Sequence, residues 1–184
     1  MMIFGHAYLA RALLACIIGI CFSVTDVAHG QSAGTPDPTD AGKAIFKRAN
    51  CMGCHKWHGN GGGGYGGDAL SLRKTELTRE LIIETIGCGR PGTGMPFFLR
   101  GAYDTIKCYG ALQADMAGNM PPEAGSFLRG NDIEAVADYV LAHIKGRSEP
   151  TYAECIGFFS QESRACNVYK TDSAASPENK PKER

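Results

Sequence analysis

Several things are scarce in this chain of 184 residues. There is no excess of charge of either sign: 19 Lys and Arg stand against 19 Asp and Glu. A nucleic-acid partner calls for a basic surplus, so that class falls away. No apolar run reaches the length of about 20 residues that a membrane-spanning helix needs. Aromatics make up 9% of the chain, with a single Trp. Strand-like alternation of apolar and polar residues is missing, and so is any internal repeat. The signatures of hydrolases are missing too: no GxSxG, no HExxH and no paired catalytic carboxylates. What the chain does have is glycine, 24 residues of it, and eight cysteines.

The N-terminus reads as a targeting segment. Arg11 precedes an apolar run, Ala12 to Phe22, and Ala28 and Gly30 put small residues before a cleavage point near Gly30. Residues 1–30 are therefore expected to be a signal peptide, removed together with Cys16 and Cys21. This implies a periplasmic or otherwise exported protein with no transmembrane anchor after cleavage. Residues 31–38 read as a polar linker.

Three helices are expected in the remainder. The first is capped by Thr39 or Asp40 and runs to just before Cys51. The second covers Thr78 to Ile86, with Leu81, Ile82, Thr85 and Ile86 inward and Gly87 as its stop. The third is capped by Asn131 and places Ile133, Val136, Ala137, Val140, Leu141 and Ile144 on one stripe, ending at Gly146. Between Trp57 and Asp68, seven of twelve residues are glycine, which makes that stretch a loop. Residues 171–184, rich in Lys, Glu, Ser and Pro, are expected to be disordered.

The chemistry concentrates in CMGCH, Cys51 to His55. A structural zinc site needs four ligands, commonly as two close pairs, and here Cys88 and Cys108 lie twenty positions apart. A thioredoxin-like redox pair follows a strand, and none precedes Cys51. The glycine run lacks the GK[ST] of a phosphate-binding loop. C-x-x-C-H is the attachment sequence for covalent haem c. Two thiols add to the haem vinyl groups, and the adjacent histidine reaches the iron from the same turn.

From Ala41 to Lys145 the chain resembles class I cytochrome c. AGKAIF looks like that family's first helix, with Gly42 and Phe46 crossing Tyr139 of the last helix. The resemblance implies a mainly α fold with three or more helices around one haem, long loops, thioether cysteines Cys51 and Cys54, and His55 as proximal iron ligand. The family's loop after the motif has a proline whose carbonyl holds the proximal histidine. With none between Gly61 and Gly67, a glycine carbonyl is expected in its place.

Two methionines compete for the far side of the iron. Met95 lies in GRPGTGMPFF, similar to the GRxGxMPxF pattern of cytochrome subunits of haem-copper oxidases. Met120 lies in NMPPEA, similar to the MPPNA loop of small bacterial cytochromes. Met95 is favoured and Met120 is the alternative; Met52 and Met116 are expected to pack. His58 reads as a loop residue unable to reach the far face, Trp57 as packing at the haem edge, and Arg90 and Arg100 as candidates for the propionates. The four remaining cysteines allow three pairings, of which Cys88–Cys108 and Cys155–Cys166 close the shortest loops. The cytochrome domain is thus drawn over residues 39–147, with a disulfide-closed extension over 148–170.

The resulting expectation is a periplasmic monohaem electron carrier rather than an enzyme. It would pass single electrons from a dehydrogenase to an oxidase or another cytochrome. The alternatives are a haem subunit fixed in a larger oxidoreductase, with the extension as docking element, and a haem enzyme with an open distal site.

Overall fold

A computed structural model describes residues 39–63 and 67–170. The expected signal peptide, linker and C-terminal tail lie outside the described residues. The elements are α1 (Asp40–Arg48), α2 (Cys51–His55), α3 (Arg79–Cys88), β1 (Phe97–Leu99), β2 (Glu123–Leu128), α4 (Gly130–His143) and α5 (Tyr152–Phe158), with short 3₁₀ turns at Gln113–Asp115 and Arg164–Tyr169. The fold is mainly helical, as expected of class I cytochrome c. No described helix is long and apolar enough to cross a membrane.

The crossing of α1 and α4 is the centre of the fold. A Cβ on Gly42 would stand 2.6 Å from Tyr139 Cβ and would run into the Ala135 carbonyl, so the two backbones touch here. Phe46, 1% exposed, packs on Tyr139 with ring centroids 5.7 Å apart. The pairing of Gly42 and Phe46 with Tyr139 is the one the sequence pattern suggests. Ile133, Val136, Ala137, Val140 and Ile144 complete the stripe, while Leu141 sits at its margin.

Helix ends differ from expectation in instructive ways. Thr39 stands at the α1 N-cap without capping it by its side chain; its hydroxyl instead lies 2.6 Å from His143 Nε2 of α4. A tertiary partner has outcompeted the local one. At α4, Asn131 falls inside the first turn. Asp132 serves the helix start, accepting from the Arg129 backbone N–H at 3.3 Å and pairing with the Arg129 guanidinium at 3.1 Å. Thr78 does cap α3, accepting from Leu81 N–H at 3.4 Å. That helix passes Gly87, which packs near Leu99 and Ile133, and stops at Gly89, where φ is +66°.

A two-stranded parallel sheet was not foreseen. β1 and β2 pair with Phe97 opposite Glu123 and Leu99 opposite Leu128, with an irregularity between. The first strand has three residues and its register slips, too little for any alternation to be visible. β1 lies within the loop that the Cys88–Cys108 disulfide closes. Cys88–Cys108 and Cys155–Cys166 are both formed, with Cα separations of 5.6 and 5.5 Å. A second apolar cluster surrounds the first disulfide: Cys88, Phe97, Ala102, Tyr103, Cys108 and Met116.

The C-terminal extension is part of the main core. Phe158 is 4% exposed and meets Phe46 edge-on at 6.4 Å. Thr151 and Glu154 form a reciprocal capping box at the start of α5, with bonds of 3.2 and 3.1 Å.

Candidate haem-attachment site

α2 is a single helical turn bracketed by two residues in the left-handed region, Asn50 (φ 58°) and Lys56 (φ 61°). Cys51 and Cys54 are three apart on it and therefore share a face, with His55 one position on. Gly53 packs against the Asn50 side chain, whose amide nitrogen would lie 2.8 Å from an added Cβ. Burial, with Cys54 adding to the rise, pushes the Cys51 thiol up to about 12. A disulfide-exchange pair needs a lowered thiol pKa, so this environment disfavours thiol redox chemistry. Neither cysteine is part of a disulfide.

His55 is held from behind. Its Nδ1 stands 3.1 Å from the Leu70 carbonyl, which can only accept, so Nδ1 carries the proton and Nε2 keeps a lone pair. Burial also pushes its pKa down, against the opposing Leu70 bond, which favours the neutral, ligating form. The carbonyl is therefore not a glycine's, contrary to expectation. The glycines do the folding back: Gly62 N–H donates to Ala69 O at 2.8 Å, and Gly61, at φ +67°, leaves no room for a Cβ beside Leu70. That return brings the carbonyl of residue 70 to Nδ1 of the ring.

The two methionines lie in different places. Met95 packs against the main cluster, together with Cys51, Met52 and Leu77. Met120 packs against the second cluster and lines a cleft of about 450 Å³ with Phe97, Pro121 and Phe127. The Met95 turn is tightly tied: Arg90 N–H donates to Met95 O at 3.2 Å, and Met95 N–H to Thr93 Oγ1 at 3.2 Å.

An open groove of about 320 Å³ runs along α3 to this turn, lined by Leu77, Leu81, Thr85, Arg90, Pro91 and Tyr109. Its lining does not include the cysteines, His55 or Met95. Leu81, expected inward, is 44% exposed, and Leu70 is 65% exposed. Leu70, whose carbonyl meets His55, thus leaves a large apolar side chain open beside the CxxCH turn, the kind of surface a porphyrin would cover. Together with the oriented His55 and the two thiols on one turn, these residues fit haem c.

Other expectations fall differently. Trp57 packs on the extension, with ring centroids 5.9 Å from Phe158 and Phe159 and 5.5 Å from Tyr169. His58 is half-buried, its Nδ1 accepting from Asn60 N–H at 3.1 Å. Arg90 lines the groove, whereas Arg100 lies over the Phe127 ring, 4.5 Å from its centroid.

The sequence reading missed Arg73, which is 7% exposed. Its guanidinium donates to His58 O at 2.6 Å, to Ser148 O, and to Glu154 Oε2 at 3.0 Å. It therefore ties the loop carrying Leu70 to the extension. A lone arginine in a polar loop gives no sequence signal of this. Among the described residues no three His, Cys, Asp or Glu side chains cluster to hold a bare metal ion.

A family model described as cytochrome c oxidase, cbb3-type, subunit III matches residues 37–106. No curated protein and no solved structure gives a significant match. The matched segment takes in α1, the CxxCH turn, α3 and the Met95 turn, and over it the chain is similar to a c-type cytochrome domain, a family whose cofactor is covalently bound haem c.

Proposed function

We propose that this cytochrome is a periplasmic carrier of single electrons, taking them from a dehydrogenase and delivering them to an oxidase or another cytochrome. Bound haem c supplies one iron that gains and loses an electron. The chain's residues set the conditions. Cys51 and Cys54 hold the group by two thioethers, so it is not lost between partners. The Leu70 carbonyl keeps the His55 proton on Nδ1 and leaves Nε2 to the iron. Met95 supplies the sixth ligand, and a thioether opposite imidazole favours the reduced iron.

The observation that carries this reading is the position of Met95 in the same apolar cluster as Cys51, with Met120 in the other. The family match, ending at residue 106, also takes in Met95 and stops short of Met120. A protein-supplied sulfur in the sixth position leaves no open site for substrate, which favours carrier over enzyme. The reading as a fixed subunit loses support from the extension, whose Phe158 is spent on the chain's own core.

The test is a pair of substitutions in haem-loaded protein. Met95→Ala should lower the reduction potential and abolish the sulfur-to-iron charge-transfer band of the oxidised form, while Met120→Ala spares both. The reverse result transfers the ligand to Met120. Loss of the band in neither variant removes methionine ligation and brings the enzyme reading forward.

A further inference from the structure

We infer that Tyr109 is a positioning residue for the Met95 turn: its hydroxyl, fixed beside the end of α3 by the Cys88–Cys108 disulfide, holds the backbone pivot on which Met95 rests. The inference deepens the proposed function and rests on Met95 as ligand.

The pivot is Gly89. Its φ is +66°, and an added Cβ would stand 2.7 Å from Met95 O and 2.8 Å from Phe97 N. The backbone of residues 95–97 thus crosses directly against Gly89, and a shift of one moves the other. The Tyr109 hydroxyl donates to the Gly89 carbonyl at 2.8 Å. Arg90 N–H, the next donor along, reaches Met95 O. A short chain of bonds therefore runs from Tyr109 through Gly89 and Arg90 to Met95. The far end of the turn is fastened separately, Gly92 N–H donating to Asn119 O at 2.8 Å.

The disulfide delivers the tyrosine. Cys88 immediately precedes Gly89 and Cys108 immediately precedes Tyr109, so one covalent bond aligns the two contact residues. Cys88 is 5% and Cys108 0% exposed, which shields the bond from reductants and makes it a permanent staple.

Tyr109 also occupies a backbone position that disfavours it. Cys108 and Ala111 exchange backbone hydrogen bonds of 3.0 and 2.9 Å across a two-residue turn, with φ +52° at Tyr109 and +80° at Gly110. Both central residues of such a turn favour Asn, Asp or Gly. A bulky residue with positive φ is strained and persists where its side chain is needed. Here the side chain has two uses: the hydroxyl holds Gly89, and the residue walls the groove beside Arg90 and Pro91.

The turn preference separates positioning from plain stability. Tyr109→Asn relieves the backbone and removes the hydroxyl; Tyr109→Phe removes the hydroxyl alone. Imidazole binds the oxidised iron only after Met95 has left it, so its apparent affinity reports how often the turn opens. Losing one hydrogen bond should raise that affinity about fivefold in both variants. Amide exchange at Arg90 and Gly92 should quicken by a similar factor. The urea midpoint of Tyr109→Asn should stay level or rise, which a purely structural role for Tyr109 would not allow. Unchanged exchange in Tyr109→Phe overturns the inference. So does faster exchange with unchanged imidazole affinity, because the turn would then open without releasing the sulfur. Met95→Ala is the reference: if it fails to raise imidazole affinity, the ligand assignment falls, and exchange alone decides whether Tyr109 holds the turn.

Discussion

Arg73 allows a magnitude to be worked out. Its side chain is 5% exposed and its ion-pair partner Glu154 29%. Arg73→Met keeps much of the apolar stem and removes the guanidinium. The carboxylate of Glu154 then loses its partner, and the carbonyls of His58 and Ser148 lose a charged donor. Breaking one side of a buried pair costs about 3–5 kcal/mol. Glu154 has some access to water, so the lower end applies, about 3 kcal/mol. For a chain of this size that is a fall of roughly 6–12 °C in melting temperature. Glu154→Gln leaves both carbonyl bonds in place and should cost about 1 kcal/mol, and the double variant should fall short of the sum because the two act on one network. The assay is thermal and urea unfolding of the haem-loaded protein. A loss below about 1 kcal/mol for Arg73→Met would refute the claim that this residue joins the Leu70 loop to the extension.

Four further outcomes follow from the same structure. Cys51→Ala or Cys54→Ala should each remove one thioether, measured as haem extractable by acidified acetone from the denatured protein; full extraction from the unsubstituted protein would contradict attachment. Gly42→Ala, which in an open helix would stabilise, should destabilise by about 1–3 kcal/mol in urea, because the added Cβ meets the α4 backbone. Phe158→Ala should cost about 3–5 kcal/mol, as a core aromatic rather than a docking side chain. The His58 pKa is pushed down, first by burial and then by Arg73 and Lys56. The unfolded chain therefore binds the extra proton more readily: stability is full above the ordinary histidine value of about 6.5 and falls as pH drops below it. His58→Gln should flatten that dependence in unfolding measured against pH.

What the sequence displayed, and what it concealed, divides by distance along the chain. CxxCH is legible because both thiols and the adjacent histidine come from one turn. The α4 stripe and the Gly42–Phe46–Tyr139 crossing are legible because helical periodicity writes burial into spacing. Leu70 was hidden since a backbone carbonyl leaves no trace in residue type, and only the return of the glycine loop selects it. Leu81 was assigned to the core by period, but its side of α3 faces the open groove. Trp57 could not be matched to Phe158, Phe159 and Tyr169 because their encounter depends on how α5 docks. NMPPEA also carries Asn119 O and Pro122 O to the backbone at Gly92 and Phe97, a pairing that leaves no trace in residue type.

The central claim is that a single iron is held between His55 and Met95. X-ray absorption at the iron edge of the haem-loaded protein tests it most directly. The account predicts one sulfur and five nitrogen neighbours in both oxidised and reduced protein, with the sulfur lost in Met95→Ala and kept in Met120→Ala. An iron without sulfur in the unsubstituted protein, or a sulfur that survives Met95→Ala, would contradict it.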